Sequence, residues 1–299
     1  MKITFLGTGS AFPTKDRNHT SILLRYGPES MLVDCGEGTQ RQIRIAGENP
    51  MKITKIFITH WHGDHILGLP GLLESMAMNN RTDLLEIFGP GGTKDSIKYL
   101  FKALHINMPF KLAIHEVDTR KSNIVINTKD YEISALFVKH RIPCLAYSLK
   151  EKDKFRLNKD WVKKEGVQGL PVLSKLQEGK DITLKGKKIK AADVTYIDVG
   201  KKLTFIFDTD IFPELIKFSE NSDLLVCEGT FSNKIKEKAR KRGHLTVKDA
   251  AKIAKSSKSK KLIITHFSQR YKDTKELAKE AKSVYKNAIL AQDFTSIKI

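Results

Sequence analysis

His60-Trp61-His62-Gly63-Asp64-His65 is the segment that decides the fold, and it follows an apolar, β-branched run from 53 to 59. Three imidazoles and one carboxylate within six residues are a typical set of metal ligands. In an extended segment His60 and His62 point the same way, while a turn at Gly63 brings Asp64 and His65 to a second point. This geometry serves two adjacent cations better than one. Because neutral imidazole suits zinc, the motif predicts a catalytic zinc site at the end of a buried strand.

Polar residues that follow other buried-type strands are candidates for the remaining ligands. They are His140 after the run 135–138, Asp208 after 205–207 and His266 after 263–265. Each of them alone could equally be a satisfied core residue or a helix cap. Together they share a position at strand carboxyl ends, where the ligand sites of α/β proteins collect. Asp208 suits a bridging position, because one carboxylate can bind two metals, whereas His19, His105 and His115 have no such setting.

Short apolar strands alternate with helical patterns along the chain, which predicts an α/β fold. The run 56–61 is similar to the run 262–267, since both are buried strands that end in Thr-His-aromatic. We therefore expect two similar halves that each deliver a histidine to one site between two sheets. Residues 112–149 alternate in the manner of antiparallel strands. Residues of about 150–190 are polar, basic and punctuated by Gly and Pro, so we expect a single domain, 1–299, with an inserted arm.

The composition excludes several classes of protein. The chain has 299 residues, of which 40% are hydrophobic, so it is not a disordered chain. It lacks an apolar run of roughly 18 residues and a signal peptide's apolar stretch. Three cysteines without CxxC spacing, Cys35, Cys144 and Cys227, fit a reducing cytosol. We therefore expect a cytoplasmic protein without a membrane partner or a disulfide framework.

The formal charge of +19 is concentrated in two stretches. Residues 150–190 carry a net charge of +7 and residues 233–261 a net charge of +10, so the other 229 residues are nearly neutral. General solubility or heat adaptation would spread charge over the whole surface. The clustering favours a binding surface for a polyanion, with nucleic acid first, although charge runs are often only solvated faces.

These motifs together resemble a known family. The run 60–65 with His140, Asp208 and His266 is similar to the metallo-β-lactamase superfamily, and finer motifs narrow the resemblance to the ribonuclease Z family, which cuts precursor tRNA at its 3′ side. Those motifs are Gly7-Thr8-Gly9-Ser10, Pro13-Thr14-Lys15-Asp16-Arg17-Asn18, Asp34-Cys35-Gly36-Glu37-Gly38-Thr39-Gln40, Gly243-His244-Leu245-Thr246 and Thr265-His266-Phe267-Ser268-Gln269-Arg270-Tyr271. The resemblance covers essentially the whole chain.

The resemblance implies a metallo-β-lactamase fold, a four-layer αβ/βα sandwich with two facing mixed sheets and an inserted basic arm. It implies two Zn²⁺ per subunit and no organic cofactor. One zinc would be held by His60, His62 and His140 and the other by Asp64, His65 and His266, with Asp208 bridging. The implied reaction is endonucleolytic hydrolysis that leaves a 3′-hydroxyl on the tRNA and a 5′-phosphate on the trailer.

The same resemblance implies the catalytic roles. Asp64 would accept the proton of the attacking water, and His244 would stabilise the phosphate or protonate the leaving oxygen. Glu228, after the run 224–227, could orient His244, but it could equally be an acid at a helix start.

The resemblance also implies RNA contacts and a homodimer in which the arm of one subunit holds tRNA for the active site of the other. The arm contains Gly166-Val167-Gln168-Gly169-Leu170-Pro171, in which Leu170 separates the glycine from the proline of the family's Gly-Pro segment. The residues expected to contact precursor tRNA are Lys15, Arg17, Lys163, Lys164, Gly169, Pro171 and Lys175. Lys15 and Arg17 would lie near the cleaved 3′ end.

Two other functions compete with this interpretation. A phosphodiesterase or esterase of the same fold could act on small molecules, but such an enzyme has no need of two basic stretches. A noncatalytic RNA-binding protein with a structural metal is the other alternative, and the full ligand set together with His244 argues against it.

Overall fold

The computed structural model describes residues 1–120, 123–184 and 186–299. The described residues form 20 β-strands and 11 α-helices, with 3-10 turns at Pro50–Lys52 and Asn233–Ile235. The strands are β1 (Lys2–Gly7), β2 (Gly9–Ser10), β3 (Ser21–Tyr26), β4 (Glu29–Val33), β5 (Ile53–Phe57), β6 (Leu85–Gly89), β7 (Leu112–Glu116), β8 (Ile124–Asn127), β9 (Tyr131–Val138), β10 (Cys144–Glu151), β11 (Lys154–Leu157), β12 (Ile182–Leu184), β13 (Lys187–Ile189), β14 (Thr195–Asp198), β15 (Lys202–Ile206), β16 (Leu224–Glu228), β17 (Leu262–Thr265), β18 (Phe267–Ser268), β19 (Ala288–Leu290) and β20 (Ser296–Lys298). The helices are α1 (Thr39–Ile45), α2 (Gly63–Ile66), α3 (Leu69–Met78), α4 (Thr93–Ala103), α5 (Lys159–Glu165), α6 (Leu173–Gln177), α7 (Ala191–Val194), α8 (Pro213–Phe218), α9 (Lys236–Lys241), α10 (Val247–Ser256) and α11 (Lys275–Lys282).

The chain divides into two compact units. The first comprises Met1–Ile126, Ile133–Leu149 and Lys202–Ile299, and the second comprises Asn127–Glu132 and Lys150–Lys201. The predicted arm, 150–190, falls within the second unit, although Lys185 lies outside the described residues. That the chain is one domain with an inserted arm stays a prediction.

Two seven-stranded sheets dominate the first unit. One has the order β20-β1-β3-β4-β5-β6-β7 and the other the order β19-β17-β16-β15-β10-β9-β8. In the first sheet β3 pairs antiparallel with β1 and β4, whereas β4, β5, β6 and β7 are parallel neighbours. The Leu145 N–H donates to the Thr59 carbonyl at 2.9 Å and the Tyr147 hydroxyl to the Ile58 carbonyl at 2.9 Å, so the second sheet meets the end of β5.

Helices cover the outer face of each sheet. Ile43, Leu72 and Ile97 of α1, α3 and α4 share one apolar cluster with residues of β4, β5 and β6. Leu215, Ile253 and Leu277 of α8, α10 and α11 share another cluster with residues of β16 and β17. The order helix, sheet, sheet, helix confirms the predicted α/β class with two large mixed sheets.

One strand prediction was wrong. β7 lies within the stretch 112–149, which we expected to be antiparallel, but it pairs in parallel with β6 from Leu85↔Leu112 to Gly89↔Glu116. Helix α4 connects β6 to β7, and a helical crossover returns the chain in the same direction. Alternation of apolar and polar residues predicts a half-buried strand without fixing the direction of its partner.

The carboxyl ends of strands in both sheets deliver the predicted ligands. His60 follows β5 in the first sheet, while Asp208 follows β15 and His266 follows β17 in the second. His266 has a positive φ of 63°, and Asp34 after β4 has a φ of 57°. Such left-handed conformations are strained for residues other than glycine, so the surrounding contacts must hold them.

The second unit has its own small core. β11 and β14 form an antiparallel ladder from Lys154↔Asp198 to Leu157↔Thr195. Helix α5 begins at the N-cap Asn158, whose side chain accepts the Asp160 N–H at 2.9 Å. The buried side chains are those of Val167, Leu173, Leu176, Ile182, Ala191 and Val194.

Within the described residues, the helices are all too short or too polar to cross a bilayer. Cys35, Cys144 and Cys227 are buried and free.

Candidate active site

The predicted ligands converge in two groups of side chains within the first unit. The ligand atoms of His60, His62, His140 and Asp208 lie within 4.8 Å of one another, and so do those of Asp64, His65 and His266. The short helix α2, which begins at Gly63, turns Asp64 and His65 away from the extended residues before it. The structure thus brings together all seven residues, which come from both sheets.

Asp208 lies between the two groups and is 3% exposed. Its Oδ2 is 3.5 Å from His60 Nε2 and 3.8 Å from His140 Nε2. Its Oδ1 is 3.3 Å from His266 Nε2 and 3.6 Å from His65 Nε2. Each carboxylate oxygen therefore faces a different group, as a bridging ligand requires.

Hydrogen bonds fix which nitrogen of each histidine is free. The Thr59 hydroxyl donates to Asp34 Oδ2 at 2.8 Å, so it accepts from Nδ1 of His60 at 3.0 Å. His140 Nδ1 donates to the Gly243 carbonyl at 3.0 Å. Both residues consequently leave Nε2 unprotonated and directed at the cluster. A second hydrogen bond of this kind is the usual way in which a metal-ligating histidine is oriented.

The second group is oriented in the same way. Nδ1 of His65 donates to Asp34 Oδ2 at 2.7 Å. The Thr230 hydroxyl donates to Glu228 Oε2 at 2.6 Å, so it accepts from Nδ1 of His266 at 2.9 Å. The Nε2 atoms of the two histidines then face each other at 3.2 Å.

The residues fit a bound cation on two observations. Among the described residues, the buried Oδ1 of Asp208 has no hydrogen-bond donor. His60 Nε2 and His140 Nε2 are both acceptors and lie 3.0 Å and 3.2 Å from His62 Nδ1, so one proton on His62 Nδ1 could serve only one of them, whereas a cation would serve all three nitrogens. Imidazole nitrogens with carboxylate oxygens are ligands that suit zinc and its neighbours among the transition metals. The seven residues are therefore suited to bind metal.

The electrostatics divide the imidazoles into two kinds. Burial lowers the pKa of His60, His62 and His140, so these rings are neutral and ready to bind a cation. Burial also lowers the pKa of His65, but the Asp34 and Asp208 carboxylates outweigh it and raise that pKa to about 10. A bound cation would take the place of the His65 Nε2 proton.

The two carboxyl groups of the cluster stay ionised. Burial raises the pKa of Asp208, but the imidazoles of His266 and His244 outweigh it and hold that pKa well below its usual range. Asp64 behaves in the same way because of His65 and His266. The Ala11 N–H donates to Asp64 Oδ2 at 2.7 Å and fixes this side chain, which is 13% exposed.

His244 lies beside the cluster and is held by Glu228. Nδ1 of His244 is 3.3 Å from Glu228 Oε1, and this carboxylate is fully buried and also accepts the Thr209 N–H at 2.9 Å. Burial lowers the pKa of His244, but Glu228 and Asp208 outweigh it and raise the pKa to about 9. The ring is 14% exposed and is a protonated donor at neutral pH.

A cavity of about 530 Å³ opens onto the cluster. His62, Asp64, His140, Asp208 and His244 line it, together with His19, Arg141 and Arg242, for which the sequence analysis assigned no role. The two arginines are functional candidates that the sequence analysis missed, because they bring exposed positive charge to the cavity, where it can bind an anion. The sequence does indicate these two arginines by their positions next to predicted site residues. Arg141 directly follows His140, and Arg242 lies two residues before His244.

The residues predicted to contact RNA have different surroundings. Lys15 is exposed, but Arg17 is only 8% exposed, and its Nη2 donates to the carbonyls of Tyr271 and Lys272. Lys163, Lys164, Gly169, Pro171 and Lys175 are exposed on the second unit. Contacts of all these residues with RNA stay predictions.

The fold is shared with solved structures. The human tRNase Z, short form, has a TM-score of 0.74 and 29% identity, with 100% of this chain and 99% of that chain covered. The metallo-β-lactamase fold protein YhfI from Bacillus subtilis has a TM-score of 0.70 and 20% identity, with 99% and 98% covered. The chain is therefore a metallo-β-lactamase-fold protein.

Curated relatives match along the whole chain. Ribonuclease Z from Methanothermobacter thermautotrophicus is 38% identical over 300 residues, which cover 100% of this chain and 97% of the relative. Ribonuclease Z from Pyrococcus horikoshii is 38% identical over 303 residues, which cover 100% and 96%. The chain belongs to the ribonuclease Z family, and it is a hydrolase of the endoribonuclease type.

A family model also matches part of the chain. This model is described as the anti-Pycsar protein Apyc1, and it matches residues 1–165. The matched part contains His60–His65 and His140 but ends before Asp208, His244 and His266. The matches to the two ribonuclease Z relatives extend over the whole chain.

Proposed function

We propose that this protein removes the 3′ trailer from precursor tRNA, leaving a 3′-hydroxyl on the tRNA and a 5′-phosphate on the trailer. One observation carries the proposal: a chain that matches ribonuclease Z over its full length holds a buried metal-binding cluster beside a histidine with a raised pKa. Arg141 and Arg242, exposed residues that line the cavity, support a phosphodiester substrate. A precursor-tRNA substrate would place the enzyme in the cytoplasm.

The proposed cofactor is a pair of zinc ions, with no organic cofactor. His60, His62 and His140 would hold one ion, and Asp64, His65 and His266 the other, with Asp208 binding both. Two zinc ions supply an acidified water and positive charge for the phosphate oxygens. The facing Nε2 atoms and the two-sided position of Asp208 support this division.

Asp64 would orient the attacking water and accept its proton. A carboxylate with a lowered pKa is a weak base, so it can take the proton only as the water itself is acidified. The hydrogen bond from the Ala11 N–H to Oδ2 supports this role, because it fixes the orientation of the carboxylate.

His244 would give a proton to the leaving O3′ of the tRNA. Its raised pKa keeps the ring charged at neutral pH, and the Glu228 carboxylate engages Nδ1, which leaves Nε2 free to donate. The same charged ring would stabilise negative charge on the phosphate before the proton moves. Glu228 is a positioning residue, because it acts through His244.

The proposed RNA contacts are those of Lys15, Arg17, Lys163, Lys164, Gly169, Pro171 and Lys175. The five residues of the second unit support this proposal because they are exposed. The Arg17 side chain is only 8% exposed, so RNA could contact it only where the RNA touches the loop that contains Arg17. We also propose a homodimer in which one subunit's second unit holds tRNA for the partner's site, and light scattering would measure its mass.

The test is cleavage of a 3′-extended precursor tRNA followed by mapping of both new ends. We expect one cut just past the discriminator nucleotide, loss of cutting with a chelator and recovery with zinc. Intact zinc content without a cut at this position would overturn the proposal.

The matched variant for this test is Asp64→Ala. We expect cleavage to fall by at least about 100-fold, because the proton acceptor is lost. Binding of tRNA, measured by filter retention, should stay within about twofold, since phosphate contacts elsewhere dominate affinity. An Asp64→Ala enzyme that cuts at a normal rate would remove Asp64 from the mechanism.

A further inference from the structure

A second cavity lies next to the one that holds the metal-binding cluster. It measures about 280 Å³, just below the range for ligand pockets, which is roughly 300–1,000 Å³, and is large enough for part of a ligand. Ser10, Ala11, Arg242 and His244 line both cavities. Among the described residues that line the second cavity, none is one of the seven predicted metal ligands. His244 therefore stands at the boundary between the two spaces.

The second cavity has the lining of a site for a flat, polar-edged ring. Phe12 lines this cavity and is 60% exposed, so its ring is open to a ligand. Arg270 also lines it and lies over the Phe231 ring, with Cζ 5.0 Å from the ring centroid. Arg270 Nε also donates to Ser268 Oγ at 3.1 Å, which fixes the plane of the guanidinium. Aromatic and guanidinium planes are the surfaces on which unpaired bases stack.

The position of Phe12 is set by the active site itself. Ala11 has a positive φ of 60°, a strained conformation for a residue with a β-carbon. The hydrogen bond from the Ala11 N–H to Asp64 Oδ2, at 2.7 Å, holds this conformation. The Phe12 N–H donates to the Ser10 carbonyl at 2.7 Å, which closes a tight turn. Phe12 thus directly follows Ala11, whose N–H is bonded to the carboxylate that would accept the water's proton.

The chemistry of the reaction determines which nucleotide reaches this cavity. This step rests on the proposed function, in which water attacks phosphorus and the P–O3′ bond breaks. The leaving O3′ takes its proton from His244, so the ribose of the tRNA's last nucleotide must lie at His244. The metal-binding cluster occupies the other side of that histidine, and the base attached to this ribose has the second cavity available to it.

We propose that the second cavity binds the unpaired base of the tRNA's 3′-terminal nucleotide, the discriminator base, by stacking on Phe12. Arg270 and Gln269 line the same cavity and supply donors and an acceptor for the edge of that base. The base would anchor the nucleotide whose O3′ must leave, and the trailer would remain on the metal side. Phe12 thereby becomes a determinant of where the chain is cut.

The test compares Phe12→Ala with the wild-type enzyme on two precursors. One precursor is intact, and the other lacks only the discriminator base, with the sugar and phosphate kept. On the intact precursor we expect Phe12→Ala to lower kcat/KM roughly 10-fold, as loss of one stacked base does. On the abasic precursor the wild type should already be slowed to a similar extent, and Phe12→Ala should slow it no further. Phe12→Trp should keep the wild-type rate on the intact precursor.

The matched control is Tyr99→Ala, which removes an aromatic ring of similar exposure, 66%, from α4. It should leave kcat/KM unchanged on both precursors. Equal slowing by Phe12→Ala on both precursors would overturn the proposal. So would an effect of Phe12→Ala that disappears only when the first trailer base is removed, because that base would then be the occupant.

The two proposals fail in different ways. If the wild-type enzyme does not cut the intact precursor, the proposed function is wrong and this inference falls with it. If the wild type cuts at the discriminator but Phe12→Ala cuts equally fast, only the assignment of the cavity is wrong.

Discussion

At the scale of the residue, we expect the contact between Glu228 and His244 to set the pH dependence of cleavage. The folded pKa of His244 is raised from 6.5 to about 9, so the acid form is present below that pH and is lost as the pH rises through it. We expect Glu228→Gln to move the alkaline limb of kcat to lower pH, because the negative charge that stabilises the imidazolium is gone. A displacement of one pH unit would lower the rate on that limb about 10-fold.

The measurement for Glu228→Gln is the pH profile of single-turnover cleavage. Zinc content and circular dichroism serve as controls, since Glu228 is buried and its replacement also alters Thr209 and Thr230. His244→Ala should show a low rate without this limb. An alkaline limb in the same place as in the wild type would mean that Glu228 does not govern the acid.

Asp34 offers a second prediction at this scale. It accepts Nδ1–H of His65 and the hydroxyl of Thr59, which in turn orients His60, so it supports a histidine of each group. We expect Asp34→Asn to weaken zinc binding about 10- to 100-fold, the usual effect of losing such a partner. Competition with a chelator would measure this affinity.

The control for Asp34→Asn is Asp249→Asn, which changes another buried carboxylate, 4% exposed, on α10. It should lower stability while leaving zinc affinity as it was. Equal zinc affinity in Asp34→Asn and the wild type would show that the histidines orient themselves without this carboxylate.

At the scale of the element, the start of α10 is the feature that positions His244. The Thr246 hydroxyl accepts the Asp249 N–H at 3.2 Å, and Asp249 Oδ2 accepts the Thr246 N–H at 3.3 Å, which closes a capping box. We expect Thr246→Ala to lower the free energy of unfolding by about 1 kcal/mol. It should also slow cleavage, because His244 lies two residues before the cap. Urea unfolding and single-turnover rates would measure the two effects separately.

Thr195→Ala provides the comparison for this prediction, because the Thr195 hydroxyl donates to the Ala191 carbonyl at 2.7 Å on the second unit. Its loss should leave the chemical step unchanged. A Thr246→Ala enzyme with reduced stability and an unchanged rate would show that the cap stabilises α10 without positioning His244.

The elements that carry the ligands could be predicted because their signals are local. The motif 60–65 and the strand that ends at Thr265 each contain, in a few consecutive residues, both the strand and its histidine. Comparison of the two runs also predicted that both sheets contribute to one site, and His65 and His266 do face each other.

The partners of the ligands could not be predicted, because they depend on contacts distant in sequence. Thr230 lies 36 residues from His266, and Arg17 lies 254 residues from the Tyr271 carbonyl that it binds. Threonine and arginine are common surface residues, so nothing in their immediate neighbourhood marks them as buried partners. The direction of β7 was missed for a similar reason, since it depends on which strand β7 pairs with.

At the scale of the whole molecule, we expect the second unit to contribute to tRNA binding and not to the chemical step. β11 and β14 pair at Lys154↔Asp198, so residues 155–197 can be replaced by a short Gly-Ser turn that joins the two strands. We expect this deletion to weaken binding of precursor tRNA and to flatten its salt dependence, because each phosphate that is no longer neutralised reduces the slope by roughly 0.7–0.9. Hydrolysis of a small phosphodiester should survive, since every predicted ligand lies in the first unit.

A milder variant controls for damage from the deletion. Replacement of Lys163, Lys164 and Lys175 by alanine removes exposed charge without touching the core around Leu173 and Leu176. It should reduce the salt slope in the same direction. If the protein with the deletion binds tRNA as tightly as the wild type at each salt concentration, the arm does not hold the substrate.

The hydrogen bonds around Thr230 have a direction that one carboxylate determines. The Thr230 hydroxyl has a single proton, and it donates that proton in a hydrogen bond to Glu228. Nδ1 of His266 therefore has to donate to the Thr230 oxygen, and Nε2 of His266 has to be the free nitrogen. An amide in place of that carboxylate could offer an N–H and reverse the whole chain of bonds, which would leave the tautomer of His266 undetermined. The proposed acid His244 and the proposed ligand His266 therefore both depend on the Glu228 carboxylate, and we expect a substitution at Glu228 to alter both of them.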